Sequence, residues 1–360
     1  MTARKQNALP VWRRICYALA LFLGLLLFFS LVSAAVALYF NSPPQPETVQ
    51  GIPAEPDNSV LFEIRKGETA RSVGTRLEES GLIRSRHFWT LLVHVQNEYV
   101  KTGTYRLNLP LSQLEIYRIL VSGKQVLLRI TIPEGVTLKK AARIFEENGI
   151  CSASDFEEAA CDKEIIAFYG IPGLSMEGYL FPDTYFFPAD YPAQRIIRTM
   201  ADNFFRRVAA MEGESLNMNP VELNKRVIIA SIVEREYRLA EEAPLMAGVF
   251  FNRLSIGMAL QSCATVEYVI TEIQGRPHPE LLLNRDLEIR NPYNTYIMPG
   301  LPPGPISLPG AAALDAAFHP QKSDYLYFRL TDPERGTHYF SKTLDDHIRA
   351  GILYLKSQSR

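Results

Sequence analysis

Two glutamates, Glu234 and Glu236, stand one residue apart in the stretch ASIVEREYRLA, whose first half is almost entirely apolar. On a helix, side chains three and four positions apart are neighbours. Glu234 can then form an ordinary surface ion pair with Arg238, whereas Glu236 emerges from an apolar stripe without a helical partner. Burial would raise the pKa of Glu236 from about 4.3 towards the ~6–7 that suits a general acid. The alternative is a carboxylate at the helix edge that pairs with a distant arginine.

Other catalytic chemistry has little support in the sequence. It contains no HExxH or CxxC pattern for a metal and no GxSxG pattern for a serine nucleophile. Its six histidines are scattered, and such histidines are more often surface or structural groups. We therefore expect no metal site. Carboxylates, amides, hydroxyls and aromatic rings in loops remain, and these groups suit sugars, which present hydroxyl edges and apolar faces.

Two loop segments carry the candidate sugar contacts, which are Gln261, Ser262, Tyr293, Asn294, Thr295 and Tyr296. Both segments lie in a region rich in Pro, Gly, Tyr and Asn, and long loops inside a domain are usually functional. Amide groups match sugar hydroxyls and aromatic rings match sugar faces. The alternative for the tyrosines is packing within the protein, which is the interpretation that we prefer for Tyr325 and Tyr327.

An uncharged apolar segment lies near the N-terminus. Residues 15–40 contain no charged side chain. A helix over these residues would be about 39 Å long, which exceeds the ~30 Å of a bilayer's hydrocarbon core. We predict a transmembrane helix. The alternative is a cleaved secretory signal, because the sequence SAAVA offers small residues that a signal peptidase accepts.

Charge is distributed unequally on the two sides of this segment. Four basic residues and no acid precede it, whereas residues 41–60 carry acids and no base. By the positive-inside rule, residues 1–14 form a cytoplasmic tail and the chain after residue 40 is extracytoplasmic. Because the whole chain has a formal charge of −1, this exported part carries −5, and we expect no nucleic-acid partner. Cys151 and Cys161 could pair in an oxidising compartment or remain free thiols.

The exported part begins with a linker and an internal repeat. Residues 41–58 are rich in proline and without apolar periodicity, so they are typical of an extended linker. Residues 66–88 match residues 134–156 without gaps, pairing Thr69 with Thr137 and Phe88 with Phe156. Each copy predicts a strand, a glycine turn, a helix capped by threonine, a glycine stop and a second helix.

These copies resemble the LysM module, a small βααβ unit that binds N-acetylated glycans of cell walls. The alternative is duplication of a small α/β scaffold without a binding role. We predict a LysM-like module at residues 59–125 and a mixed α/β catalytic domain at residues 126–360, with a second LysM-like repeat at residues 126–160. The predicted fold class is α+β, preceded by a transmembrane helix.

Several longer motifs occur in order along the chain. They are EGYLFPDTY, IIASIVERE, VFFNRLSIGMALQS, NPYNTY, GLPPGPISLPG and a late AAFHP followed by GTHYFSKTLDDH. Together they resemble the endolytic murein transglycosylases (MltG, YceG-like), and the resemblance runs from the membrane segment almost to the C-terminus.

The resemblance implies a single-pass protein of the bacterial cytoplasmic membrane. It implies internal cleavage of nascent glycan strands between N-acetylmuramic acid and N-acetylglucosamine, which leaves a 1,6-anhydromuramyl end and terminates elongation. Glu236 would act first as acid and then as base, without a cofactor or a second carboxylate. Glu177, in EGYLFPDTY, would contact the substrate. The implied partners are peptidoglycan strands, the membrane and peptidoglycan synthases.

One loop departs from the family pattern. The sequence QSCATV has Cys263 and Ala264 where members of the family usually carry Asp-Pro. If that aspartate orients the sugar or the catalytic group, activity here would be reduced or altered. Two other functions remain open: a peptidoglycan-binding tether without catalysis, and a hydrolase of the lysozyme type, which requires a second positioned carboxylate.

Overall fold

The computed structural model describes residues 11–44, 59–212 and 219–358, in two compact units, Met1–Val126 and Leu127–Arg360. The predicted cytoplasmic tail lies outside the described residues up to position 10, and so does the predicted linker from position 45 onwards. How these segments are arranged therefore stays a sequence prediction.

The first helix, α1, spans Val11–Asn41. Its segment Ile15–Asn41 has a mean hydropathy of 2.6, and its large apolar side chains are exposed. That length and composition suffice to cross a bilayer. An N-terminal helix that could span a membrane is therefore confirmed, and it ends at Asn41 rather than at Phe40.

The remainder of the first unit consists of β1 (Ser59–Ile64), α2 (Ala70–Glu79), α3 (Arg86–Gln96), β2 (Gly103–Asn108) and α4 (Gln113–Ser122). The two strands pair antiparallel, from Ser59 opposite Asn108 to Ile64 opposite Gly103. Alternate side chains of β1 enter the core because strand residues alternate between faces. The end of α1 joins this unit, since the Leu114 amide donates a 2.9 Å hydrogen bond to Asn41 Oδ1.

The helices of the second unit are α5 (Leu138–Glu147), α6 (Ala153–Ala160), α7 (Lys163–Phe168), α8 (Ala193–Glu212), α9 (Pro220–Val233), α10 (Ala243–Ser255), α11 (Cys263–Tyr268), α12 (Asn284–Leu287), α13 (Ala311–Phe318) and α14 (Leu344–Gln358). Its strands are β3 (Leu128–Thr131), β4 (Thr184–Phe187), β5 (Tyr327–Asp332) and β6 (Thr337–Ser341). β3 pairs antiparallel with β4, and β5 with β6. The mixed α+β class is confirmed.

In both copies of the repeat, the first helix begins at the equivalent residue. Thr69 and Thr137 each cap a helix, because each side chain accepts a hydrogen bond from an amide three residues later. Gly67 and Gly135 precede them with φ of 82° and 73°, a conformation that favours glycine. These pairings agree with the sequence match.

The ungapped match does not continue into the second helix of the repeat. Ser85 caps α3 and Ser152 caps α6, and the buried aromatic four residues later is Trp89 in one copy and Phe156 in the other. The pairing of Phe88 with Phe156 is therefore wrong by one residue. We align the second helices of the two copies by their caps and their buried aromatic residues. In this alignment the second copy is one residue shorter between its two helices.

Candidate active site

The candidate site begins where α9 ends. Asn219 caps this helix at its start, and residues 228–233 are all buried where it packs against α10 and α13. The helix ends at Val233, and residues 234–236 form a turn in which the amides of Arg235 and Glu236 bond to carbonyls three residues back. The prediction that both glutamates lie on one continuous helix is therefore wrong. The turn lets their side chains point to different partners.

Glu234 does not form the predicted surface ion pair with Arg238. Its Oε2 accepts a 2.9 Å hydrogen bond from the Gly310 amide, in the GLPPGPISLPG loop. Burial raises the pKa of Glu234 to about 7, and the negative charge of Glu134 acts in the same direction. Glu234 thus attaches the end of α9 to a loop far along the chain.

Glu236 faces a cavity of about 370 Å³. Its Oε1 accepts a short hydrogen bond from the Ser262 hydroxyl. Burial is the largest effect on this carboxyl and raises its pKa, and the charge of Glu267 raises it further. The Ser262 hydrogen bond and the positive charges of Arg235 and Arg253 oppose that rise. A carboxyl in these surroundings holds its proton to higher pH than an ordinary glutamate.

The cavity brings together four of the residues singled out in the sequence, namely Glu236, Gln261, Ser262 and Tyr296. Gln261 adopts a left-handed backbone conformation, with φ of 51°, and its side chain is exposed at the cavity. Among the described residues that line the cavity, Glu236 is the sole carboxylate.

The same cavity is lined by residues that the sequence interpretation missed or assigned to packing, including Arg253, Tyr327, Arg329 and His347. Arg253 is buried, and its guanidinium donates to the carbonyls of Leu326 and Leu260 at 2.6 and 2.8 Å. Burial lowers the pKa of His347, and the nearby charges of Arg329 and Arg253 lower it further. Its buried Nδ1 has no hydrogen-bond partner within the described part of the chain. The late motif ending in DDH was the one sequence signal for this histidine.

Asn294 and Thr295 do not face the cavity. Asn294 is fully buried, and its amide nitrogen donates 2.9 Å hydrogen bonds to the carbonyls of Leu287 and Ile289. Thr295 is also buried, and its Oγ1 accepts from the Ser262 amide at 3.1 Å. The prediction that these two side chains contact sugar is corrected accordingly: their polar atoms hold the loops that shape the cavity.

Glu177 and Tyr293 lie outside the residues that line this cavity. Glu177 is buried, and Oε1 accepts a 3.0 Å hydrogen bond from the Leu138 amide at the start of α5. Burial raises its pKa to about 8. Tyr293 packs against Tyr268, with ring centroids 5.1 Å apart, and the Tyr268 hydroxyl reaches Glu177 at 3.5 Å. Glu177 is therefore not placed to contact a ligand in this cavity.

The departure from the family pattern lies at the cavity edge. Cys263 is the first residue of α11, and its Sγ lies 3.1 Å from the Tyr296 hydroxyl. Burial raises the pKa of this thiol, which therefore stays protonated at neutral pH. Cys151 and Cys161 are free in the structure. No group of three or more histidine, cysteine or acidic side chains suited to a metal occurs within residues 11–44, 59–212 and 219–358.

Comparison with known proteins places these motifs in context. The sequence profile of the YceG-like family matches residues 62–351. An endolytic murein transglycosylase of Bacillus subtilis is 30% identical over 326 residues, which cover 85% of this chain and 88% of the relative. One of Streptococcus pneumoniae is 28% identical over 361 residues, which cover 92% of this chain and 64% of the relative.

A solved structure is similar as well. The 2.6 Å crystal structure of a yceG-like protein from Listeria monocytogenes matches with a TM-score of 0.51 and 31% sequence identity. The match covers 81% of this chain and 99% of the Listeria chain.

Proposed function

The chain belongs to the YceG-like family, and we propose that it is an endolytic murein transglycosylase, the activity for which its Bacillus and Streptococcus relatives are named. Its substrate is the glycan strand of peptidoglycan, cut internally between N-acetylmuramic acid and N-acetylglucosamine. One observation carries the proposal. Glu236 is the sole carboxyl among the described cavity residues. Burial raises its pKa, and an upward shift is what a general acid requires.

A single carboxyl can perform both proton transfers of this reaction. Protonated Glu236 donates its proton to the glycosidic oxygen as the bond from that oxygen to muramyl C1 breaks. The resulting carboxylate takes the proton of the muramyl C6 hydroxyl while that oxygen bonds to C1, which closes a 1,6-anhydro ring. The proton on Glu236 is restored and no water is consumed. Between these steps the Ser262 hydroxyl stabilises the carboxylate and fixes its orientation.

The two alternative functions have less support. Most glycosidases that hydrolyse use a second carboxylate as base or nucleophile. None accompanies Glu236 among the described residues of the cavity. A tether without catalysis has no need for a buried carboxyl in a cavity, and burying a carboxyl costs free energy. Glu236 is more simply explained as a reacting group.

The proposal includes a location and an orientation. Helix α1 anchors the chain in the cytoplasmic membrane, and the four basic residues before its uncharged segment remain in the cytoplasm. The second unit, which we call the catalytic unit because it carries Glu236, then lies on the extracytoplasmic side, where nascent glycan strands are made. Acting on these strands brings it close to the peptidoglycan synthases, which we propose as partners.

We also propose a glycan-binding role for the repeat. Residues 59–125 form a LysM-like module and residues 126–160 a second copy, both within a protein whose substrate is a glycan. The order of strand, two helices and antiparallel strand in the first unit supports this assignment. If full-length protein and a variant lacking the first module bind insoluble peptidoglycan equally, the module is a scaffold only.

Mass spectrometry of peptidoglycan digested by the purified full chain tests the function. We expect 1,6-anhydromuramyl ends, which are lighter by one water than the reducing ends left by a hydrolase. Reducing ends would assign the hydrolase instead. Retention on peptidoglycan without any cleavage would assign the tether.

A further inference from the structure

A second concave surface in the catalytic unit, which we call the basic groove, has a volume of about 930 Å³. Its basic side chains are Lys139, Lys140, Arg143, Arg235 and Arg276. Three acidic residues also line it, and Arg235 and Arg276 pair with Glu267 and Asp286 outside the lining, so the unpaired positive charge lies on the α5 side. The volume is in the range of roughly 300–1,000 Å³ that is typical of ligand sites. Nothing in the proposed chemistry of Glu236 uses this surface.

Two of the basic groups are available for a ligand. Lys140 and Arg143 lie on α5 three positions apart, so they share one face of the helix, and both are exposed. Within the described ranges, no hydrogen bond or ion pair holds the charged end of either side chain. By contrast, Lys139 Nζ donates to the carbonyl of Glu272 at 2.7 Å. Arg143 can present the paired N–H groups that match a carboxylate.

The acids of the groove do not neutralise these two groups. Glu134 lies beside Glu234 and raises its pKa. Glu272 lies close enough to Glu177 to raise that pKa. Glu147 is one turn beyond Arg143 on α5, yet no ion pair joins these two residues in the described structure. Charge complementarity therefore favours an anionic ligand at the α5 side of the groove.

The groove adjoins the catalytic carboxyl. Arg235 lines it and is the residue directly before Glu236. The Arg235 guanidinium donates a 2.9 Å hydrogen bond to Glu267 Oε2, and both charged groups act on the pKa of Glu236. The turn after α9 thus contributes Arg235 to the groove and Glu236 to the cavity, so a branch that leaves a sugar at Glu236 and passes Arg235 would enter the basic groove. Neutral sugar rings do not account for the unpaired charges of Lys140 and Arg143.

We propose that the basic groove binds carboxylates of the peptide stem carried by a muramyl residue near the cleavage point, with Lys140 and Arg143 as specificity-determining residues. This inference rests on the proposed function, because it takes the substrate to be peptidoglycan. It adds a preference for strands that carry their stems over strands from which the stems have been removed.

Binding of full-length protein in the inactive Glu236→Gln background tests the inference separately from catalysis. The probes are glycan strands with peptide stems, the same strands after removal of the stems by an amidase, and chitin oligosaccharides. Hydrolysis by the amidase frees the lactyl carboxyl of each muramyl residue, which is amide-bonded to the stem beforehand, whereas chitin oligosaccharides have no lactyl group. The three probes therefore distinguish stem carboxylates from lactyl carboxylates.

The double variant Lys140→Gln, Arg143→Gln should bind stem-bearing strands at least about tenfold more weakly, because it removes two charged donors and the loss of a single charge-assisted hydrogen bond already costs about that factor. Its binding to denuded strands and chitin oligosaccharides should not change. The matched control is Lys163→Gln, Arg195→Gln, which removes the same charge from exposed positions outside the groove. That control should bind all probes as the parent does.

Two results would overturn the inference. One is a loss of affinity for denuded strands at least as large as that for stem-bearing strands, because the freed lactyl carboxylate or a group common to both strands would then be what the groove binds. The other is no loss for any probe. Failure of the proposed function has a different signature: the parent with Glu236 intact would then leave peptidoglycan uncut or release reducing ends, whatever the two binding variants do.

Discussion

The Ser262 hydroxyl donates a hydrogen bond to the Glu236 carboxylate across 26 positions of the chain. Ser262 stands at the start of α11, and its amide is held in turn by Thr295 Oγ1 at 3.1 Å. Three segments thus meet at one carboxyl: the turn after α9, the start of α11 and the NPYNTY loop. This convergence separates Glu236 from Glu234, which binds the Gly310 amide instead.

Replacing each of the two glutamates tests their separate roles. Glu236→Gln removes the transferable proton and should lower the release of anhydromuramyl products by at least ~100-fold, within the range known for general acid–base groups. Glu234→Gln retains an oxygen that can accept from the Gly310 amide, so it should keep substantial activity. Mass spectrometry of digests measures both, and circular dichroism checks folding. The reverse pattern would refute the assignment of Glu236.

Removing the Ser262 hydroxyl should move the pH dependence of the reaction. That hydrogen bond lowers the pKa of Glu236, so Ser262→Ala should raise the pKa of the catalytic acid. Because Glu236 must start protonated, the alkaline limb of kcat/KM should shift to higher pH while the maximal rate falls. A profile of kcat/KM against pH measures this shift. If Ser262 had only a structural role, its replacement would change the rate but leave the alkaline limb of the kcat/KM profile at the same pH.

Glu177 should make the protein less stable as pH rises. Its pKa is raised from 4.5 to about 8 in the folded protein, so the folded state binds the proton more tightly than the unfolded chain. The stabilising contribution is complete below about pH 4.5 and is lost as pH rises through 8. The change is on the order of a few kcal/mol, at about 1.4 kcal/mol for each pKa unit.

Thermal unfolding of Glu177→Gln provides the measurement for that contribution. Glutamine resembles the neutral acid in shape and does not titrate, so the Tm of the variant should fall less between pH 5 and 8 than that of the parent. Other groups titrate equally in both proteins. Parallel Tm curves would show that Glu177 does not hold a proton in the folded state.

Asn294 and Gln261 should respond differently to alanine substitution. Asn294→Ala leaves the buried carbonyls of Leu287 and Ile289 without their donor, at about 1–3 kcal/mol for each unpaired group. Its Tm should therefore fall. Gln261→Ala removes an exposed amide at the cavity, so it should reduce activity with little change in Tm. An unchanged Tm for Asn294→Ala would contradict the structural role of its side chain.

Much of the local structure follows from the sequence alone. The apolar composition of residues 15–40 determines a helix long enough to span a bilayer. Thr69 and Thr137 cap their helices because the hydroxyl and the amide that it binds are three residues apart. The motif containing Glu236 likewise points to one carboxyl. These features depend on neighbours in the chain, and periodicity, capping and motif resemblance report such neighbours directly.

Tertiary structure decided which polar groups face the cavity. Helical spacing assigned Glu234 to Arg238, but the Gly310 amide, 76 positions away, binds it instead. Asparagine is a residue type suited to sugar contacts, yet Asn294 is buried and its amide donates to two backbone carbonyls. His347 joins the cavity from α14, and no spacing in the sequence relates it to Glu236. Burial and pairing depend on segments that meet only after folding, so local patterns do not determine them.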